Sequence, residues 1–181
     1  KGAGCCGSLV HHMGKEEKSH HQAKGNIDAW TAELAGDGLD AVVITASGCG
    51  TTVKDYGHML ANDPAYAQKA KTISSLARDI TEYLAELDVD ADVFAKADHG
   101  NPRVAYHSAC SMQHGQKITR PPRDLLKMAG FDVAEIAEGH LCCGSAGGYN
   151  LLQPEIAGQL QERKRGNIRN TNPDLVATGN I

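Results

Sequence analysis

The string Cys-Cys-Gly-Ser occurs twice in the chain, as Cys5-Cys6-Gly7-Ser8 and as Cys142-Cys143-Gly144-Ser145. A buried free cysteine behaves as a small hydrophobe and is normally placed singly, so two adjacent pairs, each followed by glycine, are poor candidates for ordinary packing. Thiol chemistry, redox or metal-binding, is therefore the first constraint on what the chain can be. The surroundings repeat as well. Cys6 is followed twenty residues on by Asn26 in Gly25-Asn26-Ile27, and Cys143 twenty-four residues on by Asn167 in Gly166-Asn167-Ile168. Each string then leads through a loop to a short apolar run ending at Thr45 or Thr178. A duplicated layout of this kind predicts two copies of one supersecondary unit.

The elements between the cysteines alternate. Residues 15–35 are polar and helix-tolerant, with Ile27, Trp30 and Leu34 on an apolar side, and predict a helix weakened by Gly25. The run Ala41-Val42-Val43-Ile44-Thr45 between glycine-rich turns reads as a strand buried on both faces, as in parallel sheets. A helix opening near Thr51 would hold Cys49 at the carboxyl end of that strand, where open parallel sheets place their ligands. Asp63 and Pro64 then start a segment with apolar residues at three and four spacing through Leu87, which predicts one long helix. Asp98-His99-Gly100-Asn101-Pro102 is the clearest break. It divides the chain into residues 1–97 and 98–181. The second part predicts a strand at 104–107 leading to Cys110, a helix from Pro121-Pro122 closed by Gly130 at its C′ position, and a strand at 131–136 delivering the chain to Cys142-Cys143. A helix from Pro154 to about Ile168 and a strand at 174–178 follow. The expected fold is α/β, two internally repeated Rossmann-like modules with mostly parallel sheets.

Composition narrows the function class. The 181 residues carry a formal charge of −4 and 41% apolar residues, with a pI near 6.1, so there is no basic footprint for nucleic acid. No apolar run reaches the eighteen residues a bilayer span needs. Aromatics are 4%, so the core is expected to rest on Ala, Val, Ile and Leu. Six cysteines in this length fall well below a secreted disulfide scaffold and suit a reducing, cytoplasmic setting. The first cysteine motif begins four residues after Lys1, which leads to the expectation that the chain is a fragment of a longer protein.

Thiolates ligate metal, and glycine-rich turns beside each pair would let backbone N–H groups approach sulfur closely. Neighbouring side chains diverge, so a Cys-Cys pair does not place two sulfurs on one tetrahedral zinc, whose sites favour two to four intervening residues. A centre of several metal atoms accommodates the pair more easily. This favours iron over zinc without excluding zinc.

Cys110, thirty-one intervening residues, Cys142-Cys143-Gly144 and the repeated pair near the start together resemble the cysteine-rich CCG family found in heterodisulfide reductases and in membrane-linked dehydrogenase complexes. Within it, Asn26-Ile27-Asp28-Ala29-Trp30, Thr45-Ala46-Ser47-Gly48-Cys49-Gly50, Val53-Lys54-Asp55-Tyr56-Gly57 and Leu141-Cys142-Cys143-Gly144-Ser145-Ala146-Gly147 most closely resemble the iron–sulfur subunits of glycolate oxidases. The resemblance covers essentially the whole chain. It implies a noncubane 4Fe–4S type of cluster, ligated by Cys5, Cys6 and Cys49 in the first module and by Cys110, Cys142 and Cys143 in the second. Both sets are incomplete, with a leading Cys expected upstream of Lys1 and a trailing one beyond Ile181. The first module also departs from the family, since Thr52 stands where its last Cys belongs. The resemblance further implies flavin-containing partner subunits that oxidise glycolate to glyoxylate, with electrons passing through this subunit towards the membrane quinone pool. Attachment at the inner face of the cell membrane would then be peripheral, through the complex. The dehydrogenation itself would not occur on this chain, so no residue is given a catalytic role.

Two other readings stay open: a non-redox interaction module whose cysteines hold zinc or no metal, and a thiol–disulfide catalyst. His107, three residues before Cys110, is expected to make a structural hydrogen bond rather than ligate. His11-His12, His20-His21 and the run Lys15-Glu16-Glu17-Lys18 are expected to face solvent.

Overall fold

The computed structural model describes residues 2–87, 89–94, 100–145 and 147–179. The chain forms two compact units, the first running to Tyr83 and the second from Leu84 to Gly179. The boundary expected at 97/98 lies outside the described residues.

The first unit contains α1 (Ser8–His12), α2 (Glu16–Ala35), β1 (Val42–Ile44), α3 (Ser47–Met59), α4 (Ala67–Leu76) and β2 (Ala77–Asp79). Chain continuity through Tyr83 is provided by α5 (Ile80–Glu86). β1 and β2 pair in parallel with Val42 opposite Ala77 and Ile44 opposite Asp79. Ala23, Ile27, Val53, Ala70 and Ile73 form the core expected of a chain poor in aromatics, yet Tyr56 sits fully buried among them. Fully burying an aliphatic or aromatic side chain of this size stabilises by about 1.5–3 kcal/mol.

The long helix expected after Pro64 is broken, and the reason is legible in Asp79-Ile80-Thr81-Glu82. The Asp79 carboxylate accepts from the Thr81 backbone N–H (2.9 Å) and hydroxyl (2.6 Å), while the Asp79 N–H donates to the Glu82 carboxylate at 3.2 Å. This reciprocal arrangement is a capping box, which starts a new helix at Ile80. The residues before it alternate, with Ala77 and Asp79 buried and Arg78 half-buried, and pair as a strand. Asp79→Ala is expected to lower stability by about 1–2 kcal/mol, read as a lower urea midpoint with an unchanged slope.

The second unit contains α6 (Ala91–Phe94), β3 (Arg103–His107), α7 (Pro121–Met128), β4 (Asp132–Ala134), α8 (Tyr149–Leu152), α9 (Pro154–Arg169) and β5 (Leu175–Thr178). Its sheet is parallel in the order β4-β3-β5. β3 is central, and its Val104, Ala105 and Tyr106 are buried. α7 ends as the sequence predicts: Gly130 has φ +88°, its N–H donates to the Lys127 carbonyl, and Phe131 N–H donates to the Leu126 carbonyl. This is a Schellman closure. The chain leaves β3 for β4 on one side and returns to β5 on the other. The carboxyl ends of β3 and β5 therefore mark a topological switch point, the usual ligand crevice of such sheets. No helix among the described residues is long and apolar enough to cross a membrane.

Candidate functional site

Each Cys-Cys-Gly turn is mounted on the second helix after it, α2 in the first unit and α9 in the second. Gly7 and Gly144 have φ of +85° and +89°, a left-handed conformation that glycine adopts without steric cost. Both also lie against helix backbone. A Cβ at Gly7 would stand 3.0 Å from the Ser19 carbonyl oxygen on α2, and one at Gly144 only 2.3 Å from the Ala157 carbonyl oxygen on α9. The glycine of the repeated string is thus fixed by dihedral and by proximity together.

The repeated asparagine holds the cysteine turn itself in the first unit and the segment leading to it in the second. Asn26, 1% exposed, accepts from Gly4 N–H (2.7 Å) and donates to the Cys5 carbonyl and the Tyr56 hydroxyl oxygen (both 3.1 Å). Tyr56 in turn donates to the Cys6 carbonyl at 2.8 Å. In the second unit Asn167 donates to the Ala137 carbonyl at 2.9 Å and to the Glu138 carboxylate at 3.0 Å.

The cysteines gather in two sets, and all six are free thiols. Cys5 and Cys49 both bear electrostatically on Cys6. Burial, then Cys49, pushes the Cys6 thiol up to about 12. Burial likewise raises the neighbouring Tyr56 phenol. Cys49 is in the first turn of α3, which begins at Ser47; the helix opens four residues earlier than its apolar pattern suggests. Thr52, in place of the expected cysteine, is 7% exposed and its hydroxyl donates to the Gly48 carbonyl at 3.2 Å.

In the second unit Cys110 follows the carboxyl end of β3 and opens a π-type turn, Ser111–Gly115. Its thiol is exposed, and partial desolvation followed by Cys142 and Cys143 raises its pKa. The Gly144 N–H donates to Cys142 Sγ at 3.3 Å, the close backbone approach expected from the glycine-rich turn. A cavity of about 610 Å³ is walled by His107 and Thr178, the ends of β3 and β5, and by Cys143, Gly144, Gln161 and Lys164 of the loop and α9. His107 is held below its usual pKa by burial and by Lys164. His11, His12, His21 and residues 15–18 are exposed as expected, whereas His20 is half-buried and 3.7 Å from Glu16.

Sequence reading missed Lys164. It is 4% exposed, and its ammonium donates to the Glu138 and Gly139 carbonyls at 2.9 and 3.3 Å. Its place inside Glu162-Arg163-Lys164-Arg165 gives the appearance of a solvated helix face; the helical offset from Asn167 was the available signal. Beside it, Arg163 pairs with the Glu138 carboxylate. Arg163 and then Asn167 hold that carboxyl at about 2, below its usual 4.5. Because the folded value is depressed, this stabilisation is present above pH 4.5 and disappears as pH falls towards 2. Melting curves between pH 5 and 3 should therefore fall more steeply for the natural protein than for Glu138→Gln.

Among the described residues no group of three His, Cys, Asp or Glu side chains forms a ready-made metal-binding set. What the second unit offers instead is three neighbouring thiols, a backbone N–H aimed at sulfur, a buried cation and an adjoining cavity. These fit an anionic sulfur-ligated centre, since sulfur-directed hydrogen bonds and nearby positive charge are what such centres need.

The profile of the cysteine-rich domain family CCG matches residues 1–54 and 104–181, and the chain belongs to that family. It is 40% identical over 179 residues to the glycolate oxidase iron–sulfur subunit of Escherichia coli (strain K12), covering 99% of this chain and 43% of that protein. It is 32% identical over 178 residues to the probable glycolate oxidase iron–sulfur subunit of Bacillus subtilis (strain 168), covering 97% of this chain and 38% of that protein. Similarity extends to lactate utilization protein A of Shouchella clausii (strain KSM-K16), 27% over 173 residues, covering 95% of this chain and 69% of that protein. The chain thus spans less than half the length of the two glycolate oxidase relatives.

Proposed function

We propose that this chain is the cysteine-rich part of an iron–sulfur electron-transfer subunit in a glycolate-oxidising complex. Residues 1–97 and 98–181 act as two CCG modules. The reading is carried by the duplicated Cys-Cys-Gly turn, mounted on α2 in the first unit and α9 in the second and, in the second, set beside Cys110 at the carboxyl edge of a parallel sheet. Cys110, Cys142 and Cys143 hold the second centre, and Cys5, Cys6 and Cys49 the first. A bound iron–sulfur cluster would supply one-electron storage between a flavin partner and the quinone pool. The protein's own part is to present the thiols at a fixed spacing, direct the Gly144 N–H at Cys142 and wall the site with α9. Thr52 supports a second reading for the first unit alone, as a docking module with zinc or no metal, because its hydroxyl is already spent on the Gly48 carbonyl.

The intact protein purified without oxygen should contain iron and sulfide that the Cys142→Ser, Cys143→Ser double variant lacks. Equal iron in the two preparations rejects the cluster reading, and zinc in place of iron supports the docking module.

A further inference from the structure

The two units differ at one buried position of the repeat. With Asn26 aligned on Asn167, Ala23 of α2 corresponds to Lys164 of α9, each three residues before its asparagine. Ala23 is 0% exposed and Lys164 is 4% exposed. The fold therefore accepts a methyl group where the second unit buries an ammonium. Taking that charge out of water costs several kcal/mol in general, and among the described residues no carboxylate forms an ion pair with it. The Glu138 carboxylate is engaged by Arg163 instead. Lys164 rests on two carbonyls of the loop entering Cys142-Cys143. It lines the large cavity together with Cys143 and a narrow crevice together with Cys142. Its charge also reaches Cys110 and His107.

A buried positive charge beside three sulfur donors, with no ion-paired carboxylate among the described residues, favours whichever state of the site is more negative. We infer that Lys164 is the positioning residue that raises the reduction potential of the second cysteine site. This deepens, and rests on, the iron–sulfur reading of that site. The step is a single electron passed from the reduced flavin partner. The flavin loses one electron, the site gains one negative charge, and no bond is made or broken. Lys164 takes no part in the transfer and acts by making the added charge less costly.

The test is a redox titration of the intact protein prepared without oxygen, following the spectroscopic signal that the Cys142→Ser, Cys143→Ser variant lacks. Lys164→Met is expected to retain iron and sulfide and to lower the equilibrium constant for reduction about tenfold, equivalent to about 59 mV for one electron. Lys164→Gln keeps donors for the two carbonyls without the charge, and should fall equally. Lys164→Arg should stay near the natural value. An unmoved potential in the Met and Gln variants overturns the inference. So does loss of the second site's iron in Lys164→Gln, which would make the residue a loop fastener only. Absence of iron from the natural protein sinks the cluster reading instead, so the two failures are distinguishable.

Discussion

Gly144→Ala is expected to destabilise the protein by about 3 kcal/mol or more. A left-handed backbone costs a non-glycine residue about 1–2 kcal/mol. The larger part comes from contact, because the new methyl would stand 2.3 Å from the Ala157 carbonyl oxygen, and backbone cannot rotate aside as a side chain can. Relief requires the turn to lift off α9, which carries Cys142 and Cys143 with it. Gly7→Ala provides the comparison. Its methyl would meet the Ser19 carbonyl at 3.0 Å, a milder overlap, so its cost should be about 1–2 kcal/mol, mostly from dihedral strain. Urea unfolding of the two variants measures the difference. Equal losses would show that backbone conformation alone makes glycine necessary in this string.

Asn26→Ala has the next largest expected effect, about 2–4 kcal/mol. The side chain is buried and serves Gly4 N–H, the Cys5 carbonyl and the Tyr56 hydroxyl at once. A buried polar group left without its partner costs about 1–3 kcal/mol, and the truncation strands more than one. The matching change in the second unit, Asn167→Ala, removes bonds to the Ala137 carbonyl and the Glu138 carboxylate in more exposed surroundings. Water can replace those partners, so the expected loss is about 1 kcal/mol. Chemical denaturation of both variants should preserve this order.

The repeated cysteine strings, the asparagines and the helices carrying them were legible because each is a local pattern with one physical solution. Gly130 closing α7 is of the same kind. The strand at Ala77–Asp79 was not read, since Leu76, Ala77 and Ile80 satisfy a helical period as well as a strand's. The capping box at Asp79 and Glu82 outweighed that period, and it was present in the sequence to be found. Cys49 entered the helix because Ser47 and Gly48 add nothing to the apolar pattern although they take helical backbone. Lys164 was hidden for a different reason. Burial of a lysine depends on where distant carbonyls fall, here those of Glu138 and Gly139, and no local pattern reports that.

The second sulfur site is built from parts with different supports. Cys110 is fixed by the end of a central strand, whereas Cys142 and Cys143 sit on a loop that Arg163, Lys164 and Asn167 tie to α9. The spacing among the thiols is consequently a helix-to-sheet distance. A substitution under the middle of α9, remote from any cysteine, would widen or narrow the gap by the full amount that the helix shifts.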